Sequence, residues 1–206
     1  MDMATTGDTR QQILQVAQRI IGSKGFSAVG LNEILRTAGV PKGSFYHYFE
    51  SKDCFGEALL EHYFDEYLEG MDSLFAGSGD AAHLLNLYWK QWIGNQRSSG
   101  DAAKCLAVKL GAEVADLSQR MRAALDRGTR RIIDRLARAI AQGQHEGCVL
   151  TELPADQVAL RLYLLWLGAS VLAKIRQDDT SFTAAFDETQ RALGIGPMAW
   201  KPHVVL

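Results

Sequence analysis

Apolar residues recur along this 206-residue chain every three or four positions, the spacing of helices that each hide one face. From Thr9, the positions Ile13, Leu14, Ala17, Ile20 and Ile21 share one side. They predict a first helix that Thr9 or Asp8 caps and that Gly25 ends after Lys24. A short second helix is expected from about Gly30 to Ala38, with Leu31, Ile34 and Leu35 inward. Gly39 is then the turn, and Pro41 stands in the first turn of a third helix, Lys42 to about Phe49. Ser51 is placed to cap a long fourth helix with Phe55, Leu59, Tyr63, Leu68 and Met71 on its inner stripe.

Beyond the loop Gly77-Ser78-Gly79 the helical period resumes with Leu84, Leu85, Tyr88, Trp89 and Trp92. Another helix is expected from about Asp101 to Val114, and a longer one from Ser118 to about Gly143 carrying Met121, Leu125, Ile132, Ile133, Leu136 and Ile140. The segment Asp156 to Arg176 is apolar nearly all round, so it is expected to be covered by its own core and by another subunit. A last helix reads from Ser181 to Leu193. The prolines, Pro41, Pro154, Pro197 and Pro202, interrupt none of these runs, and no strand pattern of useful strength appears. The expected fold is all-α.

Composition adds limits. Apolar residues at 47% and charged residues at 22% suit a globular chain that buries a sizeable core without staples. The longest charge-free stretch in the C-terminal half, Leu162 to Ala173, is shorter than the roughly 20 residues a bilayer needs, so no membrane span is expected. The acidic start, Met1 to Asp8, has no apolar run of a secretory signal. Three scattered cysteines (Cys54, Cys105, Cys148) argue for a reducing, cytoplasmic setting over a disulfide framework. Although the chain sums to −2, residues 10–52 hold six bases (Arg10, Arg19, Lys24, Arg36, Lys42, Lys52) against Glu33 and Glu50. A basic N-terminal unit on an acidic body suggests a polyanion-binding head.

That head has the form of a helix-turn-helix, whose second helix lies in the major groove of DNA. Ile34, Leu35, Val40 and Phe45 are placed to lock its helices together. Lys42, Gly43, Ser44, Tyr46, His47 and Tyr48 remain at or near the exposed end. Lys42 and Lys52 suit phosphate pairing, the hydroxyls suit backbone oxygens, and Gly43 permits a close approach to the groove wall. Phe45 and Phe49 read as core. Tyr46, His47 and Tyr48 are consecutive, so they cannot all point inward from one helix.

The run Ala38-Gly39-Val40-Pro41-Lys42-Gly43-Ser44-Phe45-Tyr46-His47-Tyr48-Phe49-Glu50-Ser51-Lys52, with Gly25-Phe26 before it, resembles the signature of the TetR/AcrR family of bacterial transcriptional repressors. The resemblance implies a three-helix DNA-binding domain, residues 1–52, on a helical regulatory and dimerisation domain, residues 53–206. It implies a homodimer joined through the last two long helices, a double-stranded palindromic operator, and a small inducer. Asn32, Arg36, Lys42, Gly43, Ser44, Tyr46, His47, Tyr48 and Lys52 would be the DNA-contacting positions. The body, Lys104 to Ser118 and Leu162 to Ile175, further resembles the electrophile-responsive branch of the family, with acrylate-responsive members next.

Cys105 stands near the start of a predicted helix and next to Lys104; both the helix N-terminus and the ammonium favour its thiolate. Lys174 ends an apolar helix, where burial would favour a neutral, nucleophilic amine. The resemblance implies that Cys105 is the thiol alkylated or oxidised by the inducer, with Lys174 as its partner. The alternative is a repressor induced by reversible binding of a small unsaturated acid or aldehyde. A further alternative is a helical enzyme or carrier whose N-terminal corner is only structural. Trp89, Trp92, Tyr163 and Trp166 can line an effector pocket, although their spacing equally makes them core. Cys54 reads as packing, and Cys148, in a Gly-rich turn, as exposed and reactive. No catalytic constellation, phosphate-cradling loop or metal-ligand spacing among the five histidines is present, so no enzyme activity and no cofactor is expected.

Overall fold

Helix is the regular structure throughout the described residues, which are 6–97 and 106–196 of a computed structural model. Nine helices follow one another there: α1 (Thr6–Lys24), α2 (Leu31–Ala38), α3 (Lys42–Tyr48), α4 (Lys52–Phe75), α5 (Ala81–Arg97), α6 (Leu106–Ala115), α7 (Gln119–Glu146), α8 (Ala155–Arg176) and α9 (Thr180–Leu193). These match the periodic segments of the sequence closely. One start differs. α1 begins before Asp8 and Thr9, which lie inside the helix and do not cap it. Ser51 does cap α4, its Oγ accepting from the Cys54 amide at 3.1 Å.

The chain forms two compact units, residues 1–67 with 97–129, and residues 68–96 with 130–206. In the first, the α1 stripe of Ile13, Leu14, Ala17 and Ile21 is fully buried. The Gln12 side chain ties α1 to the end of α2 by donating to the Ala38 carbonyl at 2.9 Å. Further along, α4 and the start of α7 meet through glycines. A Cβ at Gly56 would lie 2.5 Å from the Met121 sulfur, and one at Gly128 would overlap the Phe64 ring. Arg120 and Arg127 of α7 pair with Glu57 and Glu61 of α4 along the rim. Such exposed pairs add little each, so the glycine-permitted approach is what joins these helices.

The second unit is built around indole rings. Trp89 of α5 stacks on Trp166 of α8 at 4.7 Å and 11°, and Trp92 and Tyr163 meet edge to face at 5.9 Å. Buried hydroxyls satisfy two of the indoles. Trp92 Nε1 donates to Ser170 Oγ and Trp166 Nε1 to Thr189 Oγ1, each at 2.9 Å. Those hydroxyls in turn donate to the carbonyls of Trp166 and Ala185 on their own helices. α9 buries Phe182, Ala185, Phe186 and Leu193 and keeps its charged residues outward.

By length and composition alone α8 could cross a membrane, with 44% of its apolar window buried, a test that the core helix of a folded domain also passes. Arg161 divides this otherwise apolar helix, so no uninterrupted apolar run reaches that length. The buried half carries the aromatic cluster. The other half exposes Leu160, Leu164, Val171, Leu172 and Ile175, at the spacing of one helix face.

Gly128→Ala tests the α4–α7 approach. The added methyl must displace the Phe64 ring, so the variant should lose about 1–3 kcal/mol of unfolding free energy, read by denaturant titration followed by circular dichroism.

Candidate nucleic-acid interface

Seven residues are too few to hold a helix in water, so α3 exists because the rest of the head fixes it from behind. The fixing begins at the turn. Gly39 adopts φ 66°, and the amides of Gly39 and Val40 donate to the carbonyls of Arg36 and Leu35, closing α2 with a left-handed cap. Pro41 precedes α3 with its φ at −61°. The α3 side chain that is buried is Phe45, in an aromatic group with Phe49 at 5.1 Å and Phe55 at 5.4 Å. Arg10 of α1 lies over the Phe49 ring at 5.4 Å.

With Phe45 inward, the other face must point to solvent. Lys42, Gly43, Tyr46 and His47 are exposed, and Ser44 and Tyr48 are half-buried. Tyr46 is 57% accessible, far more than a core tyrosine would be. Its ring braces edge-on against Phe45 at 5.4 Å, and His47 and Tyr48 meet at 5.2 Å in the same manner. Open space surrounds the Gly43 α-carbon, where a Cβ would meet nothing within 4 Å. Asn32 and Arg36 of α2 are exposed as well. Lys42 makes no ion pair among the described residues. Lys52 behaves differently from a free phosphate hook. Its Nζ sits 4.9 Å from the centre of the Phe26 ring and donates to the Val29 carbonyl at 3.5 Å. Its chain remains exposed, but the ammonium is turned toward the head.

Five of the positions expected to sense an inducer, Trp89, Trp92, Tyr163, Trp166 and Lys174, lie among the described residues. Cys105 and Lys104 lie outside the described residues. Lys174 is exposed, which removes the burial expected to favour its neutral amine; the last turn of α8 leaves the apolar layer before that residue. Trp89, Trp92, Tyr163 and Trp166 are buried together in the second unit. Trp89 Nε1 and the Oδ1 of Asn86, one turn apart on α5, have no partner among the described residues. Cys148 is not the exposed, reactive thiol expected. It is half-buried, and burial raises its pKa, with Glu146, which accepts from its sulfur at 3.5 Å, acting the same way. A separate open cleft of about 420 Å³ in the second unit is lined by Asp72, Phe75, Leu84, Arg135, Arg138 and Gln142, and the indoles take no part in it. Arg135 grips both oxygens of Asp72, at 2.7 and 2.8 Å. No cluster of three or more His, Cys, Asp or Glu able to hold a metal occurs among the described residues.

Residues 13–63 match the family model of bacterial regulatory proteins of the tetR family, and residues 83–189 match a tetracyclin repressor-like C-terminal domain. The chain belongs to the TetR family. It is 41% identical over 176 residues to the transcriptional repressor NemR of Escherichia coli, covering 85% of this chain and 88% of that one. The transcriptional regulator AcuR of Cereibacter sphaeroides is 34% identical over 181 residues, covering 85% and 82%. The crystal structure of reduced E. coli NemR superposes with a TM-score of 0.84 over 89% of this chain and 96% of that chain. Within the TetR family this is therefore a NemR-like transcriptional repressor with an N-terminal helix-turn-helix. TetR-family regulators bind DNA operators as dimers.

Lys42→Ala should weaken binding to a duplex of the DNA upstream of its own gene about equally for all sequences. It should also lower the slope of log affinity against log salt by about one, measured by fluorescence anisotropy from 50 to 200 mM salt.

Proposed function

We propose that this TetR-family repressor releases a palindromic operator when an electrophile or oxidant modifies Cys105, and that it controls a detoxifying reductase. Residues 1–52 read the operator. The carrying observation is the outward face of α3, where Lys42, Gly43, Tyr46 and His47 stand clear of a helix anchored by one buried phenyl ring. Lys42, Ser44 and Tyr48 take phosphates, Gly43, Tyr46 and His47 approach the groove, and Asn32 and Arg36 support them from α2, while Lys52, whose ammonium meets the Phe26 ring and the Val29 carbonyl, braces the head behind α3. Residues 53–206 form the regulatory and dimerisation part, working in the cytoplasm.

Dimerisation uses α8 and α9. The stripe Leu160, Leu164, Val171, Leu172 and Ile175 is apolar and exposed in the single chain, and exposed Gly168 lies within it with nothing within 4 Å of a Cβ. A second copy laid along that stripe buries the leucines and meets no side chain at the glycine. Leu164→Glu should shift the protein toward monomer in sedimentation velocity and weaken operator binding with it. A variant that stays dimeric places the interface elsewhere.

The sensing reading rests on the likeness to NemR and on the sequence, where Cys105 follows Lys104. A neighbouring ammonium favours the thiolate, the form that attacks electrophiles. Lys174 is its proposed partner, and Trp89, Trp92, Tyr163 and Trp166 form the apolar wall of the effector region, with the unpartnered Trp89 Nε1 available to a polar group. N-ethylmaleimide should release the wild-type protein from its upstream duplex. Cys105→Ser should hold that duplex with unchanged affinity and fail to release it. Release that persists in Cys105→Ser would favour reversible binding of a small unsaturated acid or aldehyde.

A further inference from the structure

α6 is a ten-residue helix with Leu106, Leu110 and Val114 on its buried stripe. Its acidic residue, Glu113, one turn after Lys109, reaches out of that stripe to the turn that follows α1. Glu113 Oε1 accepts from the Ser27 amide at 2.6 Å, and Oε2 accepts from the Phe26 amide at 3.2 Å. These two amides lie just past the end of α1, where the Gly25 amide donates to the Ile21 carbonyl at 2.8 Å. Gly25 is at φ 95°, and a Cβ there would lie 3.0 Å from Glu113 Oε2. The glycine thus gives both the left-handed turn and the room for the carboxylate. Burial pushes the Glu113 carboxyl upward, but hydrogen bonds from Ser27 and Phe26 prevail and hold it below the usual glutamate value.

The turn does not end at the carboxylate. Phe26 is buried and lies against Gly56 of α4, and its ring carries the Lys52 ammonium. Lys52 is the first residue of α4, a few residues after α3. Named contacts therefore run from α6 through residues 25–27 to the first turns of α4, which follows α3 directly in the chain, all within the first unit.

We propose that Glu113 is the positioning residue through which α6 sets this turn, so that a displacement of α6 reaches the DNA face through two hydrogen bonds. The proposal rests on the operator-release reading above for its trigger, and on the geometry alone for the tie itself. A carboxylate is suited to the task, since a bond from a backbone amide to a charged acceptor is stronger and more directional than apolar contact. Shifting α6 costs both bonds together, and two amides left unpaired favour a different seat for the turn.

The test uses the full-length protein, its upstream duplex, and the variants Glu113→Ala and Glu113→Gln. Operator affinity is measured before and after N-ethylmaleimide, with amide hydrogen exchange followed at Phe26 and Ser27. Glu113→Ala should speed exchange at both amides and weaken the untreated protein's operator binding about tenfold or more. Its ratio of affinities before and after treatment should shrink toward one. Glu113→Gln keeps one side-chain acceptor and should fall between. A thermal midpoint near the wild-type value shows that each variant is folded. Wild-type exchange and affinity in Glu113→Ala would overturn the proposal, as would equal weakening of treated and untreated protein with the ratio preserved. Should the wild type itself ignore N-ethylmaleimide, the electrophile reading fails, and the untreated affinity and exchange rates still decide the role of Glu113.

Discussion

The burial of one phenyl ring governs the helix-turn-helix end of this protein. α3 is too short to persist on its own, and Phe45 is the side chain that ties it to the aromatic group of Phe49 and Phe55. A helix held at one point along one stripe must present its other residues outward. The exposure of Lys42, Tyr46 and His47 is thus a consequence of how the helix is stabilised. The left-handed Gly39 cap and Pro41 set the angle at which that stripe arrives, so the packing of Phe45 and the presentation of the polar face are one constraint.

The same economy operates in α8, with the opposite outcome for chemistry. Its inner face is committed to an indole stack, and serine and threonine hydroxyls that already bond their own backbone accept the indole N–H groups. That arrangement leaves the Trp92 and Trp166 donors satisfied without water. Its outer face carries an exposed apolar stripe with no such partner among the described residues. A helix apolar on both faces looks by composition like a membrane span, but the inner half is consumed by side chains of the same unit. What remains is a stripe one helix wide, which suits a second helix better than a lipid phase surrounding it on all sides.

Periodicity carried the helices because each buries a regular stripe, and the turn residues Gly39 and Pro41 punctuate them unambiguously. The outward residues of α3 were legible by elimination, since three consecutive bulky polar rings cannot share one buried face. Side-chain destinations were less legible. Lys52 has the composition of a phosphate contact, yet its ammonium finds the Phe26 ring and the Val29 carbonyl, two partners distant in sequence. Lys174 was read from the apolarity of the residues before it, but exposure is decided by which side of the last turn faces α9, a tertiary matter. Cys148 sits in a glycine-rich turn that the neighbouring carboxylate and backbone fold back upon.

Glu113 shows why such residues escape a linear reading. In sequence it is one more acid on an amphipathic helix, indistinguishable from a solvated charge. Its partners are backbone amides nearly ninety positions earlier, and backbone donors leave no mark on residue identity. The nearest trace is Gly25, which reads first as a helix terminator. A terminator needs a positive φ, and Gly25 has one; it does not need an oxygen of a remote carboxylate beside its missing side chain. Asparagine, which serves many left-handed caps, meets the first condition but brings a Cβ 3.0 Å from the carboxylate that holds the turn, so that carboxylate must give way by a few tenths of an ångström. The constraint on residue 25 therefore comes from α6 as well as from α1, and the end of the first helix is partly specified by a helix that follows it far along the chain.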